Sequence, residues 1–127
     1  MIYRILFLFL FMALYGCSSS IDPSQFYGKW YINAAQETDQ NEKVDLLDCP
    51  SLEFLENDSL IRWNPYVKTT GTWKYESGML QAETTLLDGR IEQSDFTVIT
   101  ISENDMELQV EEGVLYLSKK RNSNCRD

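Results

Sequence analysis

Phe26-Tyr27-Gly28-Lys29-Trp30-Tyr31 is the segment from which the architecture of this chain follows. It opens a series of segments in which apolar and polar residues alternate, and the series continues almost to the end of the chain. A glycine two residues before a tryptophan lets the backbone pass close to another part of the molecule. The indole can then close one end of a small core. We therefore expect Gly28 and Trp30 to form the closed floor of a small β-barrel.

The rest of the chain shows the period of two that is typical of β-strands. The predicted one-face rows are Trp30, Ile32 and Ala34; Trp73 and Tyr75; Leu80, Ala82, Thr84 and Leu86; and Met106, Leu108 and Val110. Asn57-Asp58, Ser77-Gly78 and Asp88-Gly89 are hairpin turn signals.

About eight strands joined by short hairpins predict an all-β fold, an antiparallel up-and-down barrel. A β-sandwich with the same number of strands would show the same pattern, so the alternation alone does not separate the two. Two segments resist assignment. Residues 96–101 are apolar on both faces, and residues 36–48 form a long polar loop with a weak helical turn expected at 44–47.

The N-terminal segment predicts export. Arg4 is followed by an apolar run, residues 5–14, which is too short to span a bilayer comfortably. The run ends in Leu14-Tyr15-Gly16-Cys17, which resembles the lipobox of bacterial lipoprotein signals. The resemblance implies cleavage before Cys17 and acylation of that residue, for example with palmitate. The expected location is the bacterial cell envelope, on the periplasmic or surface face of the outer membrane.

Charge excludes one class of partner. The chain has 20 acidic and 11 basic residues, a net charge of −9. Loss of residues 1–16 would remove Arg4 and make the mature chain still more acidic. Nucleic-acid binding needs clusters of Lys and Arg, so we expect no nucleic-acid partner. Membrane contact should come from the N-terminal lipid alone.

Two cysteines remain beyond Cys17. In an exported protein, an even pair such as Cys49 and Cys125 is more typical of a disulfide than of a metal site. Two free thiols are the alternative. The long loop that a bridge would close implies a stabilisation of about 4 kcal/mol in the chain-entropy model.

Several motifs together resemble the lipocalin-like lipoproteins of bacteria. They are Gly28-x-Trp30 at the first strand, the long first loop, Gly71-Thr-Trp73-Lys-Tyr75, and Leu115-Tyr-Leu117-x-Lys-Lys-Arg121. The resemblance covers residues 26–121. It implies that Trp30 packs at the closed end beneath a cation from the last strand, either Arg121 or one of its lysine neighbours. The implied organisation is a signal peptide (1–16), a lipidated cysteine and spacer (17–25), the barrel (26–121) and a C-terminal tail (122–127).

The residue content argues against catalysis. The chain contains no histidine, which removes Ser-His and Cys-His catalysis and the usual zinc sites. The acidic turns lack the spacing of an EF-hand loop. We therefore predict no catalytic residues, no metal and no cofactor.

Aromatic residues offer the best candidate ligand surface. The predicted lining of an apolar pocket is Phe54, Trp63, Trp73, Tyr75 and Phe96, with Ala82 and Thr84 as small neighbours that leave room. The same aromatic residues would also serve simply to fill a small barrel. Two functions therefore stay open at this point. One is binding of a small hydrophobic ligand, and the other is a filled, non-enzymatic module whose loop 36–48 contacts a protein partner.

Overall fold

A computed structural model describes residues 21–64 and 66–125. The predicted signal peptide (1–16) and the predicted lipidation site, Cys17, lie outside the described residues. So do Pro65 and the last two residues of the chain.

The first described element is a short 3-10 helix, Pro23–Phe26. Asp22 caps it, because its carboxylate accepts a hydrogen bond from the backbone N–H of Ser24, and the side chain of Gln25 accepts one from the backbone N–H of Asp22. These two bonds form a capping box, and Pro23 has the fixed φ that suits the first position. The hydrogen bonds from Ser24 hold the pKa of Asp22 below its usual value.

Nine strands follow. They are β1 (Gly28–Glu37), β2 (Val44–Asp45), β3 (Ser51–Phe54), β4 (Ser59–Asn64), β5 (Val67–Glu76), β6 (Met79–Thr85), β7 (Ile91–Ile101), β8 (Asp105–Val110) and β9 (Gly113–Ser118). All pairings are antiparallel, and β3 to β9 pair in chain order.

The sheet closes because β1 pairs with β9 on one edge and with β3 on the other. The result is an eight-stranded barrel, with β2 as a short extra strand that pairs with β1 above β3. Closure of the sheet through the pairing of β1 with β9 decides in favour of a barrel over a sandwich. The predicted all-β, up-and-down architecture is therefore confirmed.

A bulge in β1 changes which residues face inward. Ile32 pairs with Leu117, but the register shifts so that Ala34 pairs with Tyr116. Adjacent residues of β9 point to opposite faces. Ala34 therefore leaves the face of Ile32 and lies outside the core cluster, although it is buried. The prediction that Trp30, Ile32 and Ala34 share one face is wrong for Ala34, because the extra residue at the bulge reverses the alternation.

A second bulge resolves the ambiguous segment of β7. Val98 pairs with Leu108, the register shifts, and Ile101 pairs with Met106. Val98 and Ile101 both pack against the core, whereas Ile99 is 45% exposed. The apolar residues on both faces of this segment are thus explained by one extra residue in the strand.

The loop predicted over residues 36–48 is shorter than expected. β1 continues to Glu37, and the turn of helix expected at 44–47 is absent. Val44 and Asp45 form β2 instead, pairing with Ala35 and Ala34. Val44 is β-branched and lies next to an unpaired edge of β1, so pairing as a strand is more favourable for it than forming one isolated helical turn.

The barrel has a closed end and an open end. The 3-10 helix, the turns 55–58 and 77–78, and the start of β1 lie at the closed end, the floor. The turns 86–90 and 111–112 lie at the open end, the mouth. Ser77 and Gly78 both have positive φ, as the predicted two-residue hairpin turn requires.

The C-terminal tail is tied to the outer wall of the barrel. Cys125 forms a disulfide with Cys49, closing a loop with a sequence separation of 76. Asn33, at the β1 bulge, donates a hydrogen bond to the backbone carbonyl of Lys120 and accepts one from the backbone N–H of Asn122. The predicted disulfide is confirmed, and the free-thiol alternative is not.

Candidate functional site: a cavity in the upper barrel

The upper half of the barrel contains a cavity of about 490 Å³ that opens at the mouth. Every barrel strand except β5 contributes side chains or backbone to its wall. The lining residues include Ile32, Leu52, Leu60, Arg62, Ala82, Thr84, Ser94, Phe96, Val110 and Leu115, together with Glu92 and the mouth turn 111–112. This volume lies within the range of small-molecule pockets, about 300–1,000 Å³.

β5 leaves room for the cavity because it carries Gly71 at this level. Gly71 pairs with Leu60 on one side and with Thr84 on the other, and both of these line the cavity. A Cβ at position 71 would lie 1.8 Å from the backbone oxygen of Glu83. Glycine is therefore required for the close approach of β5 to β6, and it also adds no bulk to the lumen.

The lower wall of the cavity is apolar. Leu52 and Leu60 on one side and Phe96 on the other are almost fully buried. Phe96 pairs with Leu80 at the same level of the barrel, so the lumen below it is filled. An apolar group that enters the cavity would therefore be surrounded by aliphatic and aromatic carbon.

Charged side chains meet inside the upper lumen. Nη1 of Arg62, on β4, lies 3.5 Å from Oε1 of Glu92, on β7. The two strands are not neighbours, because β5 and β6 lie between them. The ion pair therefore crosses the lumen just above the apolar wall. The side chains of Arg62 and Glu92 are 32% and 45% exposed, respectively.

Three of the predicted ligand-binding residues lie on the cavity wall. Ala82, Thr84 and Phe96 all line it, and Ala82 and Thr84 are the small residues that leave space on β6. Their placement agrees with the sequence analysis, while a role for them in binding stays a prediction.

Three other predicted ligand-binding residues lie in the floor. Phe54, Trp73 and Tyr75 surround Phe26 of the 3-10 helix, with ring-centroid distances from Phe26 of 6.2, 6.0 and 5.0 Å. The indole of Trp73 also donates a hydrogen bond to the carbonyl of Leu55. These aromatic residues point inward but fill the closed end, where Phe26 occupies the space that a ligand would need.

Trp63 is placed on the outer face, which corrects the predicted pocket lining. It pairs with Lys68, and Nζ of Lys68 lies 5.8 Å from the centre of the Trp63 ring. The inward positions of β4 are Leu60 and Arg62, which line the cavity. Because Leu60 points into the core, the alternation of side chains along β4 requires Arg62 to point inward and Trp63 to point outward.

At the floor, Lys119 places a cation over the ring of Trp30. Trp30 is fully buried, and its indole N–H donates a hydrogen bond of 2.8 Å to the carbonyl of Phe26. Nζ of Lys119 lies 5.0 Å from the Trp30 ring centre. Gly28, with φ of +114°, leaves space for the Lys119 chain. The predicted cation was Arg121 or a lysine neighbour, and the described contact is made by that neighbour.

Two searches of the described residues gave no further sites. Within residues 21–64 and 66–125, no cluster of three or more His, Cys, Asp or Glu side chains could hold a metal ion. The same residues include no helix that is long and apolar enough to cross a membrane.

Sequence comparison gives no relatives for this chain. No protein-family model matches it, and no curated protein sequence matches it. Solved structures do match. A lipocalin-like protein from Bacteroides uniformis superposes with a TM-score of 0.59 at 18% identity, over 76% of this chain and 99% of that one. The chain has a lipocalin-like fold.

Two other structures match this lipocalin-like barrel. An uncharacterized protein from Bacteroides eggerthii gives a TM-score of 0.61 at 14% identity, over 75% of this chain and 99% of that one. A point mutant of LTBP1, solved in complex with leukotriene C4, gives 0.63 at 15% identity, over 80% of this chain and 72% of that one. At these identities the likeness concerns the fold.

Sequence reasoning missed the ion pair in the lumen. Arg62 and Glu92 were not candidates, because a charged residue in an alternating pattern is normally assigned to the solvent face. One signal was available. Arg62 lies two residues after Leu60, so a buried Leu60 requires an inward Arg62.

Proposed function

We propose that this protein is a lipid-anchored, non-enzymatic binding protein of the bacterial cell envelope that holds a small hydrophobic ligand in its upper barrel. The observation that carries the proposal is the cavity of about 490 Å³ with an apolar lower wall and a sealed floor. The fold of LTBP1, which has been solved with leukotriene C4, supports the same use of a barrel of this type.

The wall chemistry supports a ligand with an apolar body. Burial of apolar surface contributes about 25 cal/mol per Å², so a chain of eight to ten methylenes inside the cavity would gain several kcal/mol. The alternative of a barrel filled throughout does not fit the lumen, which is filled around the floor but not above Phe96.

Filling the cavity tests the proposal directly. Ala82→Phe and Ser94→Phe each add a ring to the lumen, and Thr85→Phe adds the same ring to an exposed position on the outer face of β6. We expect the neutral, environment-sensitive dye Nile red to bind the parent protein and the Thr85→Phe variant equally. Binding should fall at least tenfold in both lumen variants. Equal binding by all four proteins would remove the cavity as the site.

The anchoring part of the proposal concerns Cys17. Ile21 packs against the core and lies two residues before the 3-10 helix at the closed end of the barrel. Acylation at Cys17 would then attach the floor end to a membrane. Intact-protein mass spectrometry and membrane fractionation of the parent and of Cys17→Ser test this. Equal membrane retention of both would refute the anchor.

A second candidate function is contact with a protein partner at the mouth. Several large apolar side chains are exposed there, namely Tyr66 (78%), Leu87 (85%) and Ile91 (64%), with Val44 on β2 and Leu47 just after it. A photo-crosslinking residue at position 87 should then capture one discrete partner in cells, while the same residue at Thr97, on the lower outer wall, should not. The same products from both positions would argue against a specific mouth contact.

A further inference from the structure

The ion pair across the lumen identifies the ligand's head group. Arg62 carries five N–H donors, and in the described part of the chain its side chain makes one contact, the 3.5 Å contact with Glu92. That distance is long for a charge-assisted hydrogen bond, which is normally about 2.7–2.9 Å. Among the described residues, most of the donors of Arg62 therefore have no hydrogen-bond acceptor from the protein.

The position of the pair relative to the apolar wall sets the orientation of a ligand. On β4, Leu60 lies toward the floor and Arg62 toward the mouth. On β7, Phe96 lies toward the floor and Glu92 toward the mouth. A molecule with an apolar tail and a polar head would therefore place its tail beside Leu60 and Phe96 and its head beside the ion pair.

The sign of the head group follows from the burial of the two charges. An anionic head would take the place of Glu92 on Arg62, and it would release the more exposed glutamate to solvent at the mouth. A cationic head would take the place of Arg62 on Glu92, and it would leave the more buried of the two charges without this partner, just above the apolar lower wall. An unpaired, partly desolvated charge is the costlier result.

The pair itself is easily displaced. An ion pair between side chains that are about one-third to one-half exposed, at a separation of 3.5 Å, adds little to stability. A carboxylate on the ligand can approach the guanidinium with two parallel hydrogen bonds, which Glu92 does not do from the far wall of the lumen. The exchange therefore favours the ligand.

We infer that the protein binds anionic amphiphiles, with the acidic head on Arg62, the apolar tail toward Phe96, and Glu92 as the internal anion that the head displaces. This inference rests on the proposed function, because it names the class of ligand for the same cavity. It gives Arg62 and Glu92 opposite roles, so their neutral variants should change affinity in opposite directions.

The experiment uses three probes with the same ten-carbon tail, which matches the cavity, and different heads: decanoic acid, decanol and decylamine. Each displaces Nile red from the Cys17→Ser protein, which lacks the acylation site, so that an attached acyl chain cannot compete. We expect the acid to bind at least tenfold more tightly than the alcohol. Arg62→Gln should remove most of that difference, and Glu92→Gln should increase it several-fold, while affinity for the alcohol stays within about twofold in both.

Two controls separate local from general effects of charge. Lys68→Gln removes one positive charge from the outer face of the neighbouring strand, and it should leave all three affinities unchanged. Arg62→Lys keeps the charge but loses the bidentate geometry, and it should give an intermediate affinity for the acid. Glu92→Gln is expected to increase the affinity for the acid. Partial unfolding of the variants could therefore not produce the full set of expected results.

The outcomes distinguish the two proposals. Failure of Nile red and of all three probes to bind would overturn both. Equal binding of the three probes, unchanged in Arg62→Gln, would leave the cavity as a ligand site and overturn the anionic head group. Preference for the amine, lost in Glu92→Gln, would overturn it in favour of a cationic ligand.

Discussion

Replacing Phe26 by alanine should remove the plug that seals the barrel floor. Phe26 is fully buried and lies between the rings of Phe54, Trp73 and Tyr75. Loss of a fully buried Phe side chain forfeits about 2–3 kcal/mol of transfer free energy. The cavity that remains raises the expected loss to about 3–5 kcal/mol. The hydrogen bond from Trp30 goes to the backbone carbonyl of residue 26, so the substitution removes the packing and keeps this bond.

Urea unfolding followed by tryptophan fluorescence measures the loss in free energy of unfolding. In thermal unfolding, each kcal/mol corresponds to a decrease of roughly 4–8 °C in Tm for a domain of this size. Two matched variants frame the result. Phe26→Leu keeps most of the volume and should cost less than about 1.5 kcal/mol. Leu87→Ala removes a side chain that is 85% exposed and should cost less than about 0.5 kcal/mol. A loss below about 1 kcal/mol for Phe26→Ala would refute the assignment of the 3-10 helix to the core.

Three further outcomes are expected. Gly71→Ala should destabilise the protein by about 1–3 kcal/mol in the same urea assay, because its Cβ would meet backbone on β6; a neutral effect would show that the strands separate freely. Replacing Cys49 and Cys125 by serine should cost about 2–4 kcal/mol, and a reducing agent should destabilise the parent equally and leave the double variant unchanged. Lys119→Met keeps the aliphatic stem over Trp30 but removes the charge, so it should cost only about 0.5–1 kcal/mol and shift the indole emission; an effect above 2 kcal/mol would require another role for the lysine.

The sequence predicts the barrel well where strands are regular. On β6 and β8 the alternation alone gives the inward residues, since Leu80, Ala82 and Thr84 are buried, as are Met106 and Leu108. Turn chemistry at Ser77-Gly78 sets the register of the hairpin between β5 and β6, with Glu76 opposite Met79.

The errors arise where a single extra residue reverses the alternation. The bulge in β1 moves Ala34 to the outer face, and no residue type in Tyr31-Ile32-Asn33-Ala34 signals it. The structural role of the bulge depends on a contact between residues that are far apart in the sequence. The side chain of the bulge residue Asn33 holds the C-terminal tail through hydrogen bonds to backbone groups of Lys120 and Asn122, which lie 87 and 89 positions later in the chain. A contact at such a separation leaves no local pattern in the sequence.

Trp63 was misplaced for a different reason. Aromatic residues are assigned inward and charged residues outward because this is the cheaper arrangement for folding. β4 has the reverse at Arg62 and Trp63, and the strand accepts it because Arg62 finds a partner across the lumen while Trp63 packs beneath Lys68. Functional sites often contain residues that break the usual inside-outside preference and are compensated by specific partners. Here the inward Arg62 lies in the wall of the cavity.

In the proposed function, the floor of the barrel faces the membrane anchor and the mouth receives the ligand. Cys17 lies four positions before Ile21, so the chain between them spans at most about 14 Å. Ile21 packs against the core just before the 3-10 helix of the floor. The strands rise about 25 Å from floor to mouth, if β5 is tilted as barrel strands usually are. An acylated Cys17 would therefore hold the floor near the bilayer and direct Arg62 and the mouth away from it. A ligand would then reach the cavity from the aqueous side or from a partner at the exposed apolar mouth, and not from the leaflet that holds the anchor.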